Sequence, residues 1–272
     1  MITWLQAFIQ GVVEGVTEFL PISSTGHLIV SSHVLGMPDD DASKAFDVVI
    51  QLGAIIAVAW YYRNELLEQA RLVASVPRVR RFWLNLFIAF LPVAMVGLAF
   101  HKKIKAALFS PTVVAISLIV GGLILIWSDR SEEKRESNLV SIYDLMPRHA
   151  LGIGIAQIFS LIPGMSRSGS TIVGGLLTGL DRETATRFSF FLAIPTLGSA
   201  TLFEFWKERH VILTASNAMP FTIGTAVSFV VALLSIEWLL RIVSSRSFVG
   251  FGIYRIMAGL TILTLSRILG MI

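Results

Sequence analysis

Cysteine is absent from the 272 residues. No disulfide, thiolate nucleophile or cysteine-bound metal is therefore available. Charge is scarce as well: Asp, Glu, Lys and Arg make up 15% of the chain. A soluble domain carries about a quarter, so this composition argues against one. No lysine or arginine precedes Lys44. Without a basic n-region, a cleavable signal peptide is not expected. The net charge is only +4, and the arginines fall between apolar runs. That placement reads as membrane topology rather than nucleic-acid binding.

What the chain has instead is apolar length. Hydrophobic residues make up 54% of it, with a mean hydropathy of +0.75. Residues 45–62, 82–100, 111–128, 188–206, 220–240 and 249–269 are runs long enough to cross a bilayer, which takes roughly 18–20 residues. An all-α polytopic membrane protein is the expectation. Four further apolar segments are shorter or broken. Residues 2–20 end before Pro21 and carry Gln6, Gln10, Glu14 and Glu18 at every fourth position, along one side of a helix. Residues 28–37, 149–162 and 172–180 are too short to span. Residues 63–81 read as a basic loop.

The two halves resemble each other. A shift of 143 residues pairs Gly11 with Gly154, Ser23 with Ser166, Gly26 with Gly169 and Val30 with Val173. Glu14 then falls on Gln157 and Thr25 on Ser168. Each half (1–128 and 149–272, joined by a polar connector over 129–148) reads as a short helical hairpin followed by three spans. Three spans invert the second copy, so the expected fold is an inverted-topology repeat with one re-entrant hairpin dipping from each face. The whole chain, 1–272, makes a single membrane domain. Counting lysine and arginine places 63–81 and 129–148 in the cytoplasm and opens the first hairpin outward.

Two loops carry the chemistry. The second is P-G-M-S-R-S-G-S-T, residues 163–171. It sets Arg167 among Ser166, Ser168, Ser170 and Thr171, with glycines that free backbone N–H groups ahead of a helix N-terminus. Arginine fork, hydroxyls and open amides together suit phosphate. An arginine at membrane depth is costly enough to imply a task. The first loop holds Ser23, Ser24, Thr25 and His27. A histidine near a hydroxyl can activate it, so Ser24 with His27 is a candidate nucleophile and base. Glu14 and Glu18, at i and i+4, are candidate ligands for a hard cation, Mg²⁺ or Ca²⁺, and either one could act as a base. Arg255 and Glu237, each inside a late span, are expected to pair with one another.

The motifs E-G-V-T-E-F-L-P-I-S-S-T-G-H and P-G-M-S-R-S-G-S-T, at this separation, resemble the bacterial undecaprenyl-diphosphatase family, also called bacitracin-resistance proteins. The resemblance runs the length of the chain. It implies removal of the terminal phosphate from undecaprenyl diphosphate, which regenerates the monophosphate carrier of cell-wall precursors. It also implies a divalent cation, a polyprenyl diphosphate lipid as substrate, and the bacterial inner membrane with the site facing the periplasm. On this chain the acidic motif falls on Glu14 and Glu18. Catalytic roles fall on Glu18, Ser24, His27 and Arg167, and phosphate contacts on Ser23, Thr25, Ser166, Arg167, Ser168 and Thr171. A homodimer is a candidate assembly. The competing expectation is a secondary transporter or lipid flippase, for which inverted repeats and broken helices are also characteristic. The other membrane phosphatase class, with K-x6-R-P, S-G-H and R-x5-H elements, is echoed only by S-T-G-H.

Overall fold

The computed structural model describes residues 2–108, 110–132, 141–212, 214–244 and 246–268. Among these there is no β-strand. The helices are α1 (Trp4–Thr17), α2 (Ser24–Val34), α3 (Asp41–Tyr61), α4 (Arg63–Leu72), α5 (Pro77–Leu108), α6 (Pro111–Glu132), α7 (Pro147–Ile158), α8 (Arg167–Leu177), α9 (Arg182–Ile212), α10 (Ala215–Val243) and α11 (Val249–Ile268). Six of them, α3, α5, α6, α9, α10 and α11, are long and apolar enough to cross a membrane. They coincide with the six runs expected from the sequence.

Two boundaries differ from expectation. Residues 63–81 are not a loop, because α4 and the first turn of α5 occupy most of them. Arg63 and Arg71 are spaced by helix formers, and Pro77 sits where a helix tolerates proline. The connector 129–148 likewise opens inside α6, which runs to Glu132. Its residues 133–140 lie outside the described residues.

The short helices fix the two loops. α1 starts at Thr3, whose hydroxyl accepts from the Gln6 N–H while the Gln6 side chain returns to the Thr3 N–H, a capping box. α2 and α8 are each capped by the serine before them: Ser23 Oγ accepts from Gly26 N at 3.4 Å, and Ser166 Oγ from Gly169 N at 3.0 Å. Both serines have positive φ, 74° and 70°, and no other non-glycine among the described residues does. Such backbone is strained by about 1–3 kcal/mol and persists where its surroundings hold it. The bounds of α2 and α8 coincide under the 143-residue shift.

Packing follows the same offset. α1 lies against α10 and α7 against α5; α3 lies against α9 and α6 against α11. Small residues allow close approach. A Cβ on Gly11 would stand 2.6 Å from the Gly224 carbonyl oxygen, and one on Gly53 would stand 2.3 Å from that of Thr225. The larger apolar core joins Phe19, Phe82, Phe188, Phe190 and Phe191. Its rings meet edge to face: Phe19 with Phe190 at 5.2 Å and Phe82 with Phe191 at 5.2 Å. The outer surface is apolar too, with Leu98, Leu234, Met95 and Trp206 exposed. An exposed surface of this kind suits hydrocarbon as solvent.

The expected Arg255–Glu237 pair is not formed. Glu237 faces outward and pairs with Arg241 one turn on. Arg255 is 1% exposed and points the other way, toward main-chain carbonyls.

Candidate active site

Glu18 stands at the centre of the polar interior. It follows the last residue of α1 with helical dihedrals, and its N–H bonds the Glu14 carbonyl at 2.9 Å. One carboxylate oxygen accepts from Ser24 Oγ at 2.5 Å, and the other accepts from Arg167 Nη2 at 3.1 Å. The Glu18 and Arg167 side chains are 5% and 7% exposed. Two residues far apart in sequence, Ser24 and Arg167, thus share the one carboxylate of Glu18. Arg167 also donates from Nη1 to the Ser189 carbonyl at 3.0 Å and lies over the Phe19 ring at 5.7 Å. Its Nε is buried and has no hydrogen-bond partner among the described residues.

A cavity of about 190 Å³ opens here. Glu18, Ser23, Ser24, Thr25, Ser166 and Arg167 line it, so residues of both loops meet. Its remaining wall is mostly apolar, with Val93 of α5, Leu161 and Leu197 of α9. Pro92 and Pro195 lie inside those two continuous helices beside the wall, each removing one helical N–H donor.

Not every sequence candidate reaches this cavity. Ser168 Oγ donates to the Leu20 carbonyl at 2.8 Å, tying the second loop to the first. Thr171 Oγ1 donates back to the Arg167 carbonyl at 3.0 Å and pairs with Ser189 Oγ at 2.7 Å. Both hydroxyls are occupied in holding Arg167 and its loop. Ser166 combines a capping hydrogen bond with a place on the cavity wall.

His27 is where the structure departs most from the sequence reading. The expected contact with Ser24 is replaced by the Glu18 contact. The His27 ring lies 2.7 Å from the Ser23 carbonyl through Nδ1 and 2.7 Å from the Tyr254 hydroxyl through Nε2. A carbonyl only accepts, so Nδ1 carries the proton; in the neutral ring Nε2 then accepts from the Tyr254 O–H. The two rings stack at 5.6 Å, 8° apart. Tyr254 was not singled out from sequence, because an aromatic in an apolar span carries no local signal.

Glu14 is fully buried, and neither carboxylate oxygen has a hydrogen-bond partner among the described residues. Glu18, Asp47 and Arg167 are the charged groups whose fields reach it. Asp47 also has an unpartnered oxygen. Among the described residues no group of three or more His, Asp or Glu side chains is arranged to hold a metal by itself.

A second, larger cleft of about 540 Å³ lies on α4 and α5, lined by Glu65, Glu68, Arg78 and Tyr143. Most of its charges are already paired: Arg78 with Asp144 at 2.9 Å and Glu65 with Arg187 at 3.2 Å. Burial, and then the hydrogen bond to Glu65, pushes the Tyr143 phenol up to about 12, so it stays a donor. The smaller cavity, unlike this cleft, is lined by residues of both motif loops.

Comparison with known proteins decides the family. A family model described as bacitracin resistance protein BacA matches residues 7–261. The chain belongs to the BacA family. An undecaprenyl-diphosphatase of Dechloromonas aromatica is 51% identical over 259 residues, covering 95% of this chain and 93% of its own. Undecaprenyl-diphosphatase 1 of Burkholderia lata is 52% identical over 260 residues, with 95% and 94% covered. An undecaprenyl-diphosphatase of Albidiferax ferrireducens is 48% identical over 262 residues. For a BacA protein, the two sequence motifs and the cavity between them coincide.

Proposed function

We propose that this chain is an undecaprenyl-diphosphate phosphatase, a hydrolase that removes the terminal phosphate of the lipid diphosphate and leaves the monophosphate. The relatives' names support the substrate. The observation that carries the chemistry is the single carboxylate of Glu18, held between the Ser24 hydroxyl and the Arg167 guanidinium. In this reading Ser24 Oγ attacks the terminal phosphorus and its proton passes to Glu18. The phosphoanhydride P–O bond breaks, and lipid monophosphate departs with the bonding pair. Water then attacks the phosphoseryl group and releases inorganic phosphate. Arg167 neutralises charge on the transferred phosphoryl oxygens, where such interactions count most. Glu18 replaces His27 as the proton acceptor for Ser24. His27 instead holds the Ser23 carbonyl and keeps the strained turn before Ser24 in place.

A divalent cation fits this site in one way. Glu14 has two buried oxygens without partners and Glu18 is engaged on both, so a cation held by them would complete its shell with substrate phosphate oxygens and water. Mg²⁺ is commonly bound through one or two carboxylates plus substrate phosphates. Such an ion would act as a Lewis acid that offsets the diphosphate charge.

The finer architecture belongs to the same reading. The shared bounds of α2 and α8, the paired positive-φ serines and the reciprocal packing support an inverted repeat with two re-entrant hairpins, α1–α2 and α7–α8. Positive-inside counting supports a site opening to the outer face of a bacterial inner membrane. The apolar side of the cavity, toward Val93 and Leu197, suits a prenyl chain entering from lipid. The test is phosphate release from a polyprenyl diphosphate by protein purified in detergent. Release is expected, lost on chelation and restored by Mg²⁺ or Ca²⁺. Full activity after chelation would remove the cation. Binding without release would favour a transporter, because transport needs two compartments and hydrolysis does not.

A further inference from the structure

Arg255 is the largest of the fully buried side chains, and no step described above uses it. It sits within a candidate span, where an arginine is costly and is commonly tied to function. Its five hydrogen bonds all end on main-chain carbonyls. Nη1 donates to Pro21 at 3.1 Å; Nη2 donates to Gly164 at 3.1 Å, Met165 at 3.0 Å and Ser117 at 3.4 Å; Nε donates to Leu118 at 3.4 Å. Among the described residues no carboxylate is a partner. Pro21 lies in the first loop, Gly164 and Met165 in the second, and Ser117 and Leu118 on α6. The spacing has a symmetry: Pro21 precedes Ser24 by three residues, and Gly164 precedes Arg167 by three.

The guanidinium occupies a slot that glycines leave open. A Cβ on Gly121 would stand 1.9 Å from Nη2, and one on Gly169 would stand 2.8 Å from Nη1. A planar fork can reach carbonyls lying in several directions. A lysine ammonium presents its three donors from one nitrogen and cannot reach all three elements. Carbonyls in irregular backbone need partners when water is excluded, and here one side chain serves both loops.

We propose that Arg255 is a positioning residue for the hydrolysis: its guanidinium fastens both loops to α6 and so sets the separation between Ser24 and Arg167. The inference rests on the reading of Ser24 and Arg167 as the reacting pair. Misplacement by about 1 Å can cost about 100-fold in rate, so the effect belongs in kcat, not in the amount of folded protein.

Two variants test it: Arg255→Lys, and Gly121→Ala on α6, outside both loops. The added methyl in Gly121→Ala meets only the flexible end of Arg255 at close range, so the chain can fold while the guanidinium is displaced. Helicity, elution volume, kcat and KM are measured for phosphate release from a polyprenyl diphosphate. Each variant is expected to lower kcat per folded molecule by about 100-fold, with KM little changed. The double variant is expected to be no slower than the slower single, since both act through one group. If kcat per folded molecule stays near wild type in Gly121→Ala, or in Arg255→Lys where it folds, Arg255 is structural only and the inference fails. Absence of phosphate release from the wild type would instead overturn the assignment on which it rests.

Discussion

Ser24 has one hydroxyl and the structure gives it one acid partner, which makes its role testable by a mutant cycle. Ser24→Ala and Glu18→Gln are each expected to lose at least about 100-fold in kcat, the usual scale for losing a positioned base. The double variant should be little worse than the worse single, because the two act as a unit. His27→Ala combined with Ser24→Ala should also approach the single Ser24→Ala, since no nucleophile remains to be positioned. Tyr254→Phe should reproduce a fraction of the His27→Ala loss, measured as kcat at constant KM. An equal loss in both would make the tyrosine hydroxyl the whole of the His27 contribution. Arg167→Lys should lose most activity although charge is kept, since one ammonium cannot serve Glu18, Ser189 and a phosphate together. The residue identities were legible because carboxylates, arginine and clustered hydroxyls are expensive in an apolar chain. Their partners were less so. Sequence spacing brought Ser24 and His27 within one helical turn, but Ser24 starts α2 and faces back toward α1, whereas His27 turns toward α11.

Helices were the most readable level. Apolar length alone marked the six long ones, and glycines with Ser/Thr runs marked the breaks. The 143-residue offset paired Ser23 with Ser166, and these are the serines that cap α2 and α8. The offset did not tell how paired positions differ in their contacts. Glu14 is left without hydrogen bonds, whereas its counterpart Gln157 donates to the Ala89 carbonyl at 3.4 Å and accepts from Thr196 at 3.3 Å. Ala89 is on α5 and Thr196 on α9, so the Gln157 amide ties α7 to both helices. Arg255 was misread for a related reason: its partners are backbone carbonyls, which every residue carries and no sequence advertises. At this scale the glycine contacts are testable. Gly53→Ala would drive a methyl to 2.3 Å from the Thr225 carbonyl between α3 and α10. It should destabilise by about 1–3 kcal/mol, seen as a lower Tm in detergent, with kcat per folded molecule unchanged.

The whole molecule is a shell of lipid-facing side chains around a polar interior where two loops meet. The absence of cysteine makes orientation measurable with single substitutions. Asp39, beside the first hairpin, has its side chain 90% exposed and suits labelling. Asp39→Cys is expected to react with an impermeant thiol reagent outside intact cells. Ser75→Cys, exposed between α4 and α5, should react only after lysis. The reverse pattern would move the site to the cytoplasmic face. The central claim concerns chemistry across the two loops, and one comparison addresses it most directly. Phosphate release from a polyprenyl diphosphate is measured for purified wild type and Glu18→Gln in detergent, at matched amounts of folded protein. The expected result is steady turnover by wild type and a loss of at least about 100-fold in the variant. Turnover by Glu18→Gln close to that of wild type would contradict the shared carboxylate as the working centre of the site.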